Sequence, residues 1–210
     1  MSPRSRRGPL ARLVLMISAI GLFVIGYYWG NQYKYGGGPP TIEGVMISPA
    51  APLLDFELTD ATGRPFTGDD LAGHWTLLAF GEISLARGQI AVSRMIDVYN
   101  RLADRPELRG QVQLALAARD QSPNLARDFS ALAPSLRILS GGQDEIDRLA
   151  ALFGERPEGG GEEGAALYLI TPNGHLLAVF PTGQPAETIA ADLRALSDWP
   201  LEALTATPDE

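Results

Sequence analysis

The chain has 210 residues, a formal net charge of -8, two histidines and no cysteine. Without thiols it forms no disulfide, no thiolate metal site and no cysteine nucleophile, and its two imidazoles, His74 and His175, leave little scope for histidine catalysis. From residue 51 onward 12 arginines face 24 acidic residues, a balance that repels nucleic acid.

Residues 1–12 are basic and polar, with Arg4, Arg6, Arg7 and Arg12. Residues 13–30, LVLMISAIGLFVIGYYWG, carry no charge. That length is at the short end of what spans a bilayer, roughly 17–25 residues. A cleaved signal peptide is the alternative, but no small-x-small site follows the apolar run. Tyr27, Tyr28 and Trp29 form an aromatic cluster suited to the membrane interface. The pattern predicts an uncleaved transmembrane helix, and the arginines before it place the N-terminus in the cytoplasm. The expected location is the inner (plasma) membrane, single-pass, with the C-terminal domain in the periplasm. Residues 31–50 read as a linker, flexible at Gly36-Gly37-Gly38 and stiff at Pro39-Pro40.

A domain is expected over residues 51–198. Phe56 and Leu58 alternate with polar residues before the turn Asp60-Ala-Thr-Gly63, which predicts a hairpin. Residues 69–73 form a short helical turn ending at Gly73. The apolar run Trp75-Thr76-Leu77-Leu78-Ala79-Phe80 suits a strand buried on both faces. Gly81 breaks it, and residues 82–89 read as a polar loop. Ile90, Met95, Ile96, Tyr99 and Leu102 then suggest a helix by their spacing. A loop at the carboxyl end of a central strand is where open α/β sheets usually bind ligands.

Further strands are expected at residues 112–117 and 136–139. Ser122-Pro123 starts a helix with proline at its first position. Another helix covers residues 144–153, with Ile146, Leu149, Ala150 and Phe153 on one face. Residues 155–164, ERPEGGGEEG, read as an exposed acidic loop. Strands at residues 165–170 and 176–180 pair across Thr171-Pro-Asn-Gly174, since Asn-Gly is a strong turn signal. Residues 188–196 make the last helix, and residues 199–210 are an unassigned tail. The order of elements implies an α/β domain with a mixed sheet.

Three stretches carry a family resemblance. They are Gly73-His74-Trp75-Thr76-Leu77-Leu78-Ala79-Phe80-Gly81, the hairpin beginning at Phe56, and Tyr168-Leu-Ile-Thr-Pro-Asn-Gly174. Together they resemble the Sco/SenC family, thioredoxin-fold proteins that help assemble the copper centre of cytochrome c oxidase. The resemblance implies a thioredoxin-like mixed sheet flanked by helices. It also implies a Cys-x-x-x-Cys loop after the central strand and a histidine shortly before the Tyr-Leu-Ile strand. Counting along the motifs, Leu85 and Gln89 stand in the thiolate places and Glu163 stands in the place of the histidine. Cu(I) prefers sulfur ligands, and leucine cannot ligate a metal. No catalytic residue, metal ligand or cofactor is therefore expected.

What survives is a candidate binding surface made of Glu82, Ser84, Leu85, Arg87, Gln89 and Glu163. The resemblance points to a membrane-anchored, periplasm-facing accessory or binding factor in cytochrome c oxidase assembly. Its partner would be a respiratory oxidase subunit or assembly factor. The alternative is an exported thioredoxin-scaffold protein of unrelated function, including an enzyme that uses Glu82, Arg87 and Glu163. His74 and His175 read as surface residues and Met95 as core. Leu85 is open to two readings: an exposed contact, or a minor core residue tucked under its loop.

Overall fold

The computed structural model describes residues 16, 18–26, 40–53, 55–155 and 165–205. The chain divides into two units, Met1–Pro39 and Pro40–Glu210. In the first, residues 18–26 are helical, with Ile20, Leu22, Phe23, Val24 and Ile25 exposed. Among the described residues no helix is long and apolar enough to cross a membrane. The expected anchor extends beyond the described residues at both ends, and the basic N-terminus, residues 31–39, Glu163 and residues 206–210 lie outside them.

The second unit holds eight strands: β1 (Val45–Pro52), β2 (Glu57–Asp60), β3 (Pro65–Thr67), β4 (Trp75–Gly81), β5 (Val112–Ala118), β6 (Leu136–Ser140), β7 (Leu167–Ile170) and β8 (His175–Phe180). A 3-10 turn, Gly68–Leu71, precedes β4. The helices are α1 (Ala86–Arg101), α2 (Pro106–Gln111), α3 (Pro123–Ser130), α4 (Gln143–Leu152), α5 (Ala186–Ser197) and α6 (Leu201–Thr205).

All eight strands form one mixed sheet in the order β1-β8-β7-β4-β5-β6-β2-β3. β4, β5 and β6 run parallel, and the hairpin β7–β8 adds antiparallel strands beside β4. Every residue of β4 and β5 is buried, as a strand covered on both faces requires. Alternation along β4 divides the core. Trp75, Leu77 and Ala79 join Val92, Met95 and Val98 of α1 with Ile189 and Leu193 of α5. Leu78 and Phe80 point the other way, into Phe56, Leu58, Ile146, Leu149 and Phe153. Helices on both sides thus fix β4 and aim its carboxyl end at the loop that follows.

Three expectations are corrected. The linker assigned to residues 31–50 contains most of β1, which pairs with β8 at Val45–Val179 and Met46–Ala178. The loop expected over residues 82–89 is shorter, because α1 begins at Ala86 and takes Arg87, Gly88 and Gln89 onto its first turn. The buried face of α1 runs through Gly88, Ala91, Val92, Met95 and Val98, and Ile90 is 42% exposed. The tail begins with α6, whose Leu204 joins the core.

Candidate functional site

Between β4 and α1 the chain has only four residues, Glu82, Ile83, Ser84 and Leu85. Their path is fixed from three sides. Ile83 is fully buried and plugs the first core. Its N–H donates to Asp120 Oδ1 at 2.7 Å, and the Ser84 N–H donates to Asp120 Oδ2 at 3.1 Å. Asp120 lies just past the end of β5, so a parallel neighbour strand supplies the carboxylate that receives the loop. Ser122 Oγ donates to the same carboxylate at 2.9 Å. Burial pushes the Asp120 carboxyl up, but hydrogen bonds from Ser84, Ser122 and the Ile83 N–H together outweigh it and hold the group below its ordinary value.

The third constraint is backbone contact. A Cβ on Gly88 would lie 2.1 Å from the Glu82 carbonyl oxygen, and one on Gly81 would lie 3.3 Å from Gly88 Cα. Only glycine lets the first turn of α1 come this close to the end of β4. Gln89 completes the tie, its Nε2 donating to the Ile83 carbonyl at 3.1 Å.

Leu85 is the N-cap of α1, in extended conformation, and its side chain is 53% exposed. Leu85 is thus exposed and not tucked under its loop as minor core. Glu82, Leu85, Arg87, Arg119 and Glu155 line a shallow cleft over Phe80. Arg87 Nη2 donates to Glu155 Oε1 at 3.1 Å, and the Tyr168 hydroxyl donates to Glu155 Oε2 at 2.5 Å. The Glu155 side chain is only 10% exposed. Its expected place in an exposed acidic loop is corrected: this first residue of the segment is drawn inward by a cation and a phenol. Burial, then the hydrogen bond and charge of Glu155, push the Tyr168 phenol well above its ordinary range, with Arg87 opposing. Beneath lie Phe80, Phe153 and Tyr168, edge to face, with centroids 5.1–5.8 Å apart. Arg119 borders the cleft with its Nη1 on Asp147 at 2.8 Å.

Glu82, Leu85 and Arg87 therefore share the cleft. Ser84 turns to Asp120, and Gln89 turns back to the main chain. Glu163 lies outside the described residues. Asp120, Gly88 and Tyr168 are absent from the sequence-derived set. The adjacency of strand ends that brings Asp120 to the loop belongs to tertiary structure, although a carboxylate just past a parallel strand is a signal that could have been weighed.

His74 is exposed and His175 half-buried. The Nδ1 of each lies 3.0 Å from a main-chain carbonyl two residues back. Met95 is fully buried. Among the described residues no group of three or more histidine, cysteine or acidic side chains is placed to hold a metal ion.

The mixed sheet, the flanking helices and a short loop between the central strand and its helix define a thioredoxin-like fold. The SCO1/SenC family model matches residues 48–198, and the chain belongs to that family. It is similar to yeast Sco1, solved with copper bound, at a TM-score of 0.60 and 18% identity over 73% of this chain and 93% of that one. Apo Sco1 of Thermus thermophilus gives a TM-score of 0.60 and 22% identity over 76% and 99%. A Stutzerimonas stutzeri protein, named as a candidate copper-binding protein, is 29% identical over 147 residues, covering 68% of this chain and 71% of that protein.

Copper in such relatives sets a test for the residues present here. Leu85 offers only a hydrocarbon side chain. The Gln89 amide nitrogen donates to Ile83, and the sequence has no sulfur anion to offer. A soft Cu(I) site needs thiolate, thioether or imidazole donors, and this set does not fit.

Proposed function

We propose that this protein is a membrane-anchored, periplasm-facing member of the SCO1/SenC family that takes part in cytochrome c oxidase assembly by docking a partner, without copper or redox chemistry of its own. The observation that carries the reading is the state of the loop after β4. Its backbone is held in place by Asp120, by the Gly81–Gly88 approach and by Gln89. Nothing in that holding requires a metal, and the side chain turned outward is Leu85. An exposed leucine beside a charged cleft has the make-up of a small contact site, apolar at its centre and polar at its rim. The docking surface is centred on Glu82, Leu85 and Arg87, which share the cleft, with Ser84 and Gln89 in the adjoining loop and helix turn. The partner class is a respiratory oxidase subunit or assembly factor.

The rival reading is an enzyme working through Glu82, Arg87 and Glu163. Among the described residues Arg87 is hydrogen-bonded to Glu155, and no ion pair to Glu82 is present to position it as an acid or base.

The test is genetic and biochemical. Deletion of the gene should lower assembled cytochrome c oxidase, read from its haem absorbance. Wild-type protein should restore it, and a Leu85→Ala/Arg87→Glu variant of normal abundance should not. Oxidase content unchanged by the deletion would contradict the assembly role. Topology has its own check. A reporter fused after Glu210 should be active only when exported, and a mature chain starting beyond residue 30 would contradict the anchor.

A further inference from the structure

Asp192 on α5 is 6% exposed and lies outside the residues of the site described above. Its Oδ1 accepts the Glu43 N–H at 3.2 Å, and its Oδ2 accepts the Gly44 N–H at 2.9 Å and the Gln184 side-chain amide at 3.3 Å. A buried carboxylate with these donors is satisfied, and in return it pins two successive residues just before β1. The pinned segment is also pressed onto the sheet. A Cβ on Gly44 would stand 2.6 Å from two ring carbons of Phe180, itself fully buried. Ile42 packs against the same core.

The register shows where this fastening lies. β4 and β8 are both antiparallel to β7, so they run parallel to each other. Leu78, Tyr168, Val179 and Val45 make one row across β4, β7, β8 and β1. Three strand spacings separate the ends of the row, about 14 Å. Since β1 is antiparallel to β8, the residues before Val45 continue toward the carboxyl end of β4. Glu43 and Gly44 are thus pinned at the same edge of the sheet as Glu82 and Leu85.

We propose that Asp192 is a latch that fastens the incoming chain, at Glu43–Gly44, to the edge of the domain that carries the loop after β4. While the latch is closed, residues 42–44 stay on the sheet edge that carries the loop after β4. When it opens, the first residues of β1 are released from that edge, each adding up to about 3.3–3.6 Å of reach. β1 is suited to such release. It is an edge strand with an irregular register between Met46 and Ala51 and pairing only to β8. The latch stands on geometry within this domain. Only its use in presenting the docking edge rests on the function proposed above.

The test uses the full chain in detergent and amide hydrogen exchange read by peptide mass. In Asp192→Ala and Asp192→Asn, exchange over residues 41–47 should speed up by about tenfold, as expected when hydrogen bonds to a charged acceptor are lost. Exchange over residues 112–118 in β5 should not change. Gly44→Ala, which lifts the segment without touching Asp192, should act in the same direction. The absence of cysteine permits a second readout, with spin labels on Thr41→Cys and Ala86→Cys. Their distance distribution should be narrow with Asp192 present and broad with Asp192→Ala. Unchanged exchange over residues 41–47 in both Asp192→Ala and Gly44→Ala would overturn the latch. So would an equal rise over residues 112–118, or a distance distribution that Asp192→Ala leaves narrow. An intact latch beside unaltered oxidase content in the gene deletion would reject the docking role and leave the latch standing.

Discussion

Leu85 and Gly88 stand three residues apart and answer to opposite physics. Leu85 is 53% exposed, so Leu85→Ala should change stability by no more than about 0.5 kcal/mol in a thermal melt. Gly88 has the Glu82 carbonyl where a Cβ would go. Gly88→Ala should therefore cost about 1–3 kcal/mol or more, as overpacking does. Asp120 adds a pH dependence. Its folded pKa lies below the ordinary 3.8. The stability it contributes is complete above 3.8 and is lost as pH falls through the lower folded value. Asp120→Asn should lower stability at neutral pH and flatten the acid limb of the unfolding curve below pH 3.8. An acid limb as steep as that of the wild type would assign that slope to other carboxylates. At this scale the sequence was legible where identity alone decides, as with Leu85 and Gln89 lacking thiols. Gly88 was not legible, because its constraint comes from a carbonyl six residues back, brought close by the strand-to-helix turn.

Among the elements, Glu155, just past α4, links α1 to β7. Glu155 receives Arg87 and Tyr168 at once, with side-chain exposures of 10% for Glu155 and 26% for Arg87. Glu155→Ala strands the Tyr168 hydroxyl and takes one acceptor from Arg87, and should destabilise by about 1.5–3 kcal/mol in urea unfolding. A double-mutant cycle over Arg87→Ala and Glu155→Ala should give a coupling of about 0.5–3 kcal/mol. A coupling near zero would reduce the pair to a surface contact. The strands β4 and β5 were readable because unbroken apolar runs have few alternatives. β1 was not, since VMISPAAP carries two prolines and alternates poorly; it forms because β8 offers an edge and Asp192 holds its approach. The start of α1 was read four residues late. Arg87, Gly88 and Gln89 look like loop residues, and packing of Gly88 on Gly81 overrides that local preference.

For the whole molecule, the mixed sheet followed from the order of elements and from the motifs around Phe80 and Tyr168, whereas its two cores emerge only from the structure. The pairing partners and the corner where Asp120 meets Ile83 required three dimensions. The domain keeps a family frame whose loop is secured by carboxylate, amide and glycine contacts rather than by thiolates. The central claim is that this frame works without copper. It is tested most directly by offering Cu(I) to the purified full chain in competition with a high-affinity Cu(I) chelator and measuring the metal retained. The chelator should take all of it. Stoichiometric Cu(I) left on the protein would show that the domain binds copper after all, through a donor set that includes Met95 or His175.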